Sequence, residues 1–245
     1  MKPYYHHAGI TIYHASCFEI VERLVESLRI SDDCIAGGEF GETVVITDPP
    51  YDENTHAKAR SGFRKADAID FDACDPARVT SLLLRLTTTW ALAFCALEDL
   101  GRYRDAAPSN YVRGGFWERT NGAPQFTGDR PAQPGEGIAI LHRSRHAMTW
   151  RGGGRKAFYS YPRSAATGHP TPKPVQLMEQ LIRDFAVPQP REGPDVQPVI
   201  VDPFCGGGTT LLAAKTLGFR AVGVELDERY CEIAARRMAQ EVLFT

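Results

Sequence analysis

With 245 residues, 43% of them apolar and 24% charged, the chain is long enough for one α/β domain with a continuous core and too short for two. Its longest apolar run, Trp90 to Leu97, falls far short of the ~18 to 20 residues that cross a bilayer. The start, Met1-Lys2-Pro3-Tyr4-Tyr5-His6-His7, lacks the apolar stretch of a secretion signal, so no membrane association and a cytoplasmic protein are expected. A net charge of -2 excludes a uniformly basic coat protein for nucleic acid. The six cysteines (Cys17, Cys34, Cys74, Cys95, Cys205, Cys231) contain no C-x-x-C pair and read as reduced thiols, with neither a disulfide frame nor a metal site.

Periodicity predicts a strand at Ile10 to His14, an amphipathic helix at Phe18 to Leu28, and a β-branched strand at Thr43 to Thr47 of the kind buried on both faces. A helix over Pro76 to Thr89 and a buried strand over Trp90 to Leu97 follow. From Gly101 to about Thr167 glycine and proline break the pattern, and only Ile138 to His142 reads as a clean strand. Pro172-Lys173-Pro174 then opens a helix with Met178, Leu181, Ile182 and Phe185 on one face, and a proline-rich connector runs from Val187 to Pro198. The chain closes with a strand (Val199 to Asp202), a glycine turn, a helix (Thr209 to Leu217), a strand (Ala221 to Glu225) and a helix (Glu228 to Val242). That rhythm is a βαβ unit, so a doubly wound, mostly parallel sheet is expected. One domain, 1–245, divides into a catalytic half (1–100), a basic loop-rich recognition region (101–167) and a cofactor-binding half (168–245).

The basic region holds eleven arginines and lysines against four acids between Gly101 and Ala165. Mixed with Tyr111, Phe116, Trp117, Phe126, Trp150, Phe158 and Tyr159, that charge could track a phosphate backbone and stack on bases, or it could be an ordinary solvated surface.

Asp202-Pro203-Phe204-Cys205-Gly206-Gly207-Gly208-Thr209-Thr210 joins a buried strand to a helix, where open α/β sheets bind nucleotides. Leu211 stands where the third glycine of a dinucleotide fingerprint belongs, and Glu225 lies seventeen positions after Gly208, where a carboxylate grips ribose hydroxyls. Asp202 would repel a pyrophosphate yet attract an ammonium group. S-adenosyl-L-methionine is therefore favoured over NAD, and an oxidoreductase is disfavoured.

Asp48-Pro49-Pro50-Tyr51 sits at the mouth of the Thr43 to Thr47 strand, and the chain's own composition would produce it by accident only about two times in a thousand. Each proline fixes φ and keeps the residue before it extended. The tip so formed presents the Asp48 carboxylate beside the Pro49 carbonyl, followed by the ring of Tyr51. Two acceptors can draw an exocyclic amino nitrogen of a base towards tetrahedral geometry and localise its lone pair, while Tyr51 stacks on the flipped base.

Asp48-Pro49-Pro50-Tyr51, His169-Pro170-Thr171-Pro172-Lys173-Pro174, Gly122-Ala123-Pro124-Gln125-Phe126 and the Asp202 to Thr210 loop together resemble the amino-methylating DNA methyltransferases of the β class, in which the catalytic motif precedes the cofactor loop. The resemblance implies a Rossmann-like seven-stranded sheet with one antiparallel strand in its last hairpin, and methyl transfer to adenine N6 of double-stranded DNA. It implies catalytic roles for Asp48, Pro49, Pro50 and Tyr51. Cofactor contacts would come from Thr171, Lys173 (both at the methionine end), Asp202, Phe204, Gly206, Gly208, Thr209, Thr210 and Glu225 (at the ribose). Cytosine N4 and RNA adenine N6 stay open as targets, as does a silent nucleic-acid-binding module. Gly207 departs from the serine common in the family. With no separate recognition domain, site reading falls to the Asp52 to Asp67 loop and the basic region. A homodimer on a palindromic site and a restriction endonuclease partner, in a bacterial or phage setting, complete the expectation.

Overall fold

The structure is a computed structural model, and the description covers residues 1–28, 42–50, 74–144, 148–164, 172–186 and 197–240. Its strands are β1 (Tyr5–His7), β2 (Ile10–His14), β3 (Thr43–Thr47), β4 (Trp90–Cys95), β5 (Tyr111–Arg119), β6 (Gly135–His142), β7 (Phe158–Tyr161), β8 (Val199–Asp202) and β9 (Ala221–Glu225). The helices are α1 (Cys17–Ser27), α2 (Pro76–Leu86), α3 (Leu100–Ala106), α4 (Val175–Phe185), α5 (Thr209–Thr216) and α6 (Glu228–Ala239). All nine strands form one sheet in the order β1-β2-β9-β8-β3-β4-β6-β5-β7. From β2 to β4 neighbours run parallel, β6 is antiparallel to both β4 and β5, and β7 is parallel to β5.

Strand composition follows from burial on two faces. In β4, Trp90, Leu92 and Phe94 point to the side covered by α4, α5 and α6, while Ala91, Ala93 and Cys95 point to the side covered by α1, α2 and α3. Large residues on one face and small ones on the other let α2 and α3 approach the sheet closely. Helix α4, at 11 residues, is marginal as an isolated peptide. Burial of Leu177, Met178, Leu181, Ile182 and Phe185, at about 1.5 to 3 kcal/mol for each large side chain, holds it on the sheet.

Several boundaries differ from the sequence expectation. Helix α2 starts where Pro76 and the Asp75 cap place it, with the Arg78 amide donating to Asp75 at 3.4 Å, but it stops at Leu86. Thr87 to Thr89 instead turn their hydroxyls to backbone: Thr87 Oγ1 donates to the Thr43 and Trp90 carbonyls at 3.0 and 2.7 Å, and the Thr43 amide donates to Thr88 Oγ1 at 2.9 Å. Hydroxyls that bond locally compete with the helix, and here they fasten the start of β3 to the start of β4. Strand β4 ends at Cys95, and the chain passes through a 3-10 turn (Leu97–Asp99) into α3. Helix α6 ends at Ala239, short of Val242, and residues 241–245 lie outside the described set.

The expected seven strands become nine. The seven from β2 to β5 in sheet order carry the single inner antiparallel strand, β6, and β1 and β7 are added at the edges. Strand β1 joins β2 through Ala8 and Gly9, both at positive φ (47° and 78°), the tight hairpin geometry. The basic region, expected to be mostly loops, builds β5, β6 and β7. Its Gly114-Gly115 pair erases the alternation by which a strand is recognised, and pairing on both sides supplies the order that local sequence lacks. Among the described residues no helix is long and apolar enough to cross a membrane.

Candidate active site

β3 and β8 are neighbours at the centre of the sheet, and the chain leaves them in opposite directions, from β3 by α2 to β4 and from β8 by α5 to β9. Where crossovers part in this way, a crevice opens at the carboxyl ends of the two strands. Asp48 directly follows β3, Asp202 ends β8, and Glu225 ends β9. Thr47 Oγ1 donates to Asp202 Oδ1 at 2.6 Å. That bond joins the two halves of the site predicted from separate motifs.

On the glycine side, Gly206 and Gly208 hold positive φ of 47° and 76°. A Cβ on Gly208 would stand 2.9 Å from that of Ala234, so this position serves the packing of the loop on α6 as well as its turn. The two oxygens of Glu225 accept from the Gly206 amide at 2.9 Å and the Asp227 amide at 2.8 Å. A carboxylate has about four lone-pair sites, so this buried group keeps acceptor capacity for hydroxyls. Thr209 and Thr210 are buried in the first turn of α5. Phe204 lies edge-on to Phe18 of α1 at 5.9 Å between centroids. Arg237, which sequence reading did not single out, donates from Nη1 to the Gly207 carbonyl at 2.5 Å and to Thr209 Oγ1 at 3.2 Å, and burial holds its guanidinium below its usual pKa.

Burial pushes the Asp202 carboxyl up to about 6, against the opposing hydrogen bonds from Thr210, Thr47 and the Phe204 amide. The folded state therefore binds this proton more tightly than the unfolded state, whose carboxyl titrates near 3.8. Stability falls as pH rises from about 4 to about 6, by at most about 3 kcal/mol. Asp202→Asn is expected to stabilise the fold by about 1 to 2 kcal/mol at pH 7 and by nothing at pH 4. Urea unfolding at the two pH values measures this, and equal effects at both would contradict the assignment.

On the catalytic side, the Pro50 carbonyl accepts from the Cys74 amide at 2.8 Å, whereas no described residue donates to the Pro49 carbonyl. Lys173 places its ammonium on Asp48 Oδ2 and, at 3.2 Å, on Glu136 Oε2. The ammonium also lies 5.0 Å from the Phe94 ring centroid and 6.0 Å from that of Trp117. Glu136 Oε1 in turn meets Arg119 Nη1 at 3.5 Å. Burial raises the pKa of Asp48, Lys173 opposes that shift and Glu136 adds to it. Burial also works against the charge of Lys173, but Asp48 and Glu136 outweigh it, so its ammonium is held above the usual range. Asp48 Oδ1 is buried and accepts no hydrogen bond from any described residue.

Glu136 and Arg119 escaped the sequence reading. The available signal was an acid flanked by glycines at the start of the one clean strand in a basic stretch. Tyr51, Thr171, the His169-Pro170 pair, Arg145 and the Asp52 to Asp67 loop lie outside the described residues.

The basic block divides between the two rims of the sheet. Because β6 runs against β4, its end carries Arg143 to the start of β4, where the Arg143 amide donates to the Thr89 carbonyl at 2.8 Å. Arg151 and Arg155 sit with Asp184 at the far end of α4. These residues of the basic region are on the rim opposite Asp48. Arg102 and Arg104 pair with acids. Arg130, Arg163 and Phe126, the last 87% exposed, belong to the segments that follow β5 and β7 at the Asp48 rim. Asn121 Nδ2 donates to the Arg163 carbonyl at 3.3 Å and the Arg163 amide to Asn121 Oδ1 at 2.7 Å, which ties the two segments together.

Residues 139–236 match the DNA methylase family model. The chain is 23% identical to the type II methyltransferase M2.LlaDCHI of Lactococcus lactis subsp. cremoris, over 97% of this chain and 92% of that one. It is 40% identical to M2.DpnII of Streptococcus pneumoniae, but over 30% of this chain and only 24% of that protein's length. Among solved structures it is similar to the M1.HpyAVI-SAM complex, with a TM-score of 0.65 and 21% identity over 94% of this chain and 100% of that one. It is also similar to the PvuII DNA methyltransferase described as cytosine-N4-specific, with a TM-score of 0.66 and 15% identity over 100% of this chain and 91% of that one. The methylase segment takes in β8, the glycine loop and Glu225, and along nearly its whole length the chain is similar to a type II methyltransferase.

Proposed function

We propose that this chain transfers the methyl group of S-adenosyl-L-methionine to an exocyclic amino nitrogen of a base swung out of double-stranded DNA, with adenine N6 as the target. The observation that carries the reading is Asp48 Oδ1, a buried acceptor without a donor among the described residues, beside a glycine loop to which Thr47 ties it. Leaving such an oxygen unsatisfied costs about 1 to 3 kcal/mol, which a binding partner with an N–H would relieve. An aspartate at the head of the Asp48-Pro49-Pro50-Tyr51 motif favours adenine over cytosine, since the cytosine enzymes usually begin with serine.

The cofactor side fits the same reading. Glu225 has lone pairs to spare for ribose hydroxyls, Asp202 offers a carboxylate to an ammonium group, and Gly206 and Gly208 let backbone come close to a ligand. When bound, S-adenosyl-L-methionine supplies a methyl group on a positively charged sulfur that an amine can attack. The chain's own task is to prepare that amine. Asp48 Oδ1 and the Pro49 carbonyl accept its two N–H donors, which turns the nitrogen lone pair towards the methyl group. With that lone pair given to the methyl carbon, the nitrogen would carry a surplus proton, which Asp48 is placed to receive. Burial, by raising Asp48, makes it a better acceptor than a free aspartate. Arg130, Arg163 and exposed Phe126 offer charge and a ring to DNA at the same rim, with the Tyr51 ring as the stacking partner of the flipped base.

Incubation with duplex DNA and tritiated S-adenosyl-L-methionine, followed by digestion to nucleosides, tests the reading. Label is expected in N6-methyldeoxyadenosine. Label in N4-methyldeoxycytidine would replace the base, and label in RNA alone would replace the substrate. Calorimetric binding of NAD in place of S-adenosyl-L-methionine would overturn the reading.

A further inference from the structure

Lys173 does not face Asp48 alone. Its ammonium is shared with Glu136 Oε2 at 3.2 Å, and Glu136 is anchored from behind by Arg119 Nη1 at 3.5 Å, so four charges of alternating sign run from β5 through β6 to the tip of β3. All four are withdrawn from solvent, with side-chain exposures of 26% for Asp48, 7% for Lys173, 14% for Glu136 and 10% for Arg119. A buried ion pair needs no third and fourth member for charge balance, because Asp48 and Lys173 already cancel. A lysine also has a flexible stem and three equivalent donors, so one carboxylate alone does not fix where its ammonium stands.

We propose that Glu136, held by Arg119, is a positioning residue that pins the Lys173 ammonium against Asp48 Oδ2, so that Oδ1 is the oxygen left to receive the target amino group. The assignment deepens the methyltransferase reading and rests on it. Geometry supports it from two directions. Glu136 reaches Lys173 from β6 while Asp48 follows β3, so the ammonium is drawn between carboxylates carried by two different strands. The oxygen of Asp48 that Lys173 takes is Oδ2, and the oxygen without a described partner is Oδ1.

Glu136 has an electrostatic consequence that a purely structural residue would lack. Asp48 feels Lys173 and Glu136 directly, with Asp202 of β8, Cys95 of β4 and Tyr103 of α3 also within electrostatic range. Of the two strongest charged neighbours, Glu136 is the one that raises Asp48. Removing its charge therefore lowers the Asp48 pKa, although the same change loosens the site.

The test is Glu136→Gln in the full chain, with Glu118→Gln on neighbouring β5 as the control and thermal melting to confirm folding. Asp48 is followed by carbon NMR of aspartate-labelled protein, and methyl transfer is followed against pH. In Glu136→Gln the Asp48 titration and the acid limb of kcat are expected to move to lower pH. The maximal kcat should drop about tenfold to a hundredfold, as small misplacements of reacting groups do, with the Kd for S-adenosyl-L-methionine within twofold of wild type. Glu118→Gln should match wild type. If Glu136→Gln does not fold, Glu136→Asp keeps the charge one methylene further back, and the proposal then requires a lower kcat with the Asp48 titration near its wild-type position. An unmoved Asp48 titration together with an unchanged kcat overturns the proposal. A titration that moves in a protein whose wild type methylates no nucleic acid keeps the Glu136 linkage and overturns the functional reading instead.

Discussion

Asp48→Asn is expected to lower methyl transfer by about 10² to 10³-fold or more while leaving the Kd for S-adenosyl-L-methionine within about twofold. The amide keeps the size of the side chain but loses the charge, and it can present an NH2 where the substrate needs an acceptor. Lys173 stays beside Glu136 in the variant, so its positive charge remains balanced. Asp202, Gly206 and Glu225 are bound to one another's loops and to Thr47, and none of these bonds involves the Asp48 side chain. Single-turnover transfer with calorimetry on the same preparation reads both quantities. Equal losses in the two would place Asp48 at the cofactor instead of the base.

Lys173→Met is expected to damage stability as well as rate. The thioether fills part of the space but leaves Asp48 and Glu136 buried without the cation between them. Breaking a buried pair by removing one partner typically costs about 3 to 5 kcal/mol. Two facing carboxylates avoid that cost by taking up a proton, which pushes their pKa further above the unfolded value of a free aspartate. Their folded form then holds protons that the unfolded chain releases, so the loss should be small near pH 5 and largest at pH 8. Methyl transfer at neutral pH should be lost together with the Asp48 charge. Urea unfolding at pH 5 and pH 8 measures the stability change, and a loss of the same size at both would contradict the buried-pair account.

The parts of the fold legible in the sequence were those that carry their own signal. β3 is β-branched throughout and buried throughout, and α4 shows its helical stripe. Strands β5 and β7 were not legible, because β5, with its interior glycine pair and exposed charge, and the four-residue β7 owe their order to neighbours far away in sequence. The three threonines after α2 misled the helix boundary for the converse reason, since their hydroxyls found backbone partners on β3 that periodicity cannot reveal. In the site, Asp48, Asp202 and Glu225 stood out because each follows or ends a strand in a recognisable turn. Glu136 and Arg119 lie in the middle of the basic stretch, and only the antiparallel course of β6 between β4 and β5 brings Arg119 to Glu136 and Glu136 to Lys173. Net charge was the least informative feature, because folding divides the arginines between two opposite rims and pairs several of them with acids.

In the proposed reading the carboxyl ends of β3 and β8 form one site in which Asp48 holds the target amine and the glycine loop holds the methyl donor. A crystal structure with duplex DNA and a non-transferring analogue of S-adenosyl-L-methionine tests it most directly. An amino nitrogen of a flipped base is expected within about 2.6 to 3.2 Å of both Asp48 Oδ1 and the Pro49 carbonyl, with the analogue's ribose on Glu225. A base that stays stacked in the duplex, or an amino nitrogen bound away from Asp48 while the analogue occupies the glycine loop, would contradict it.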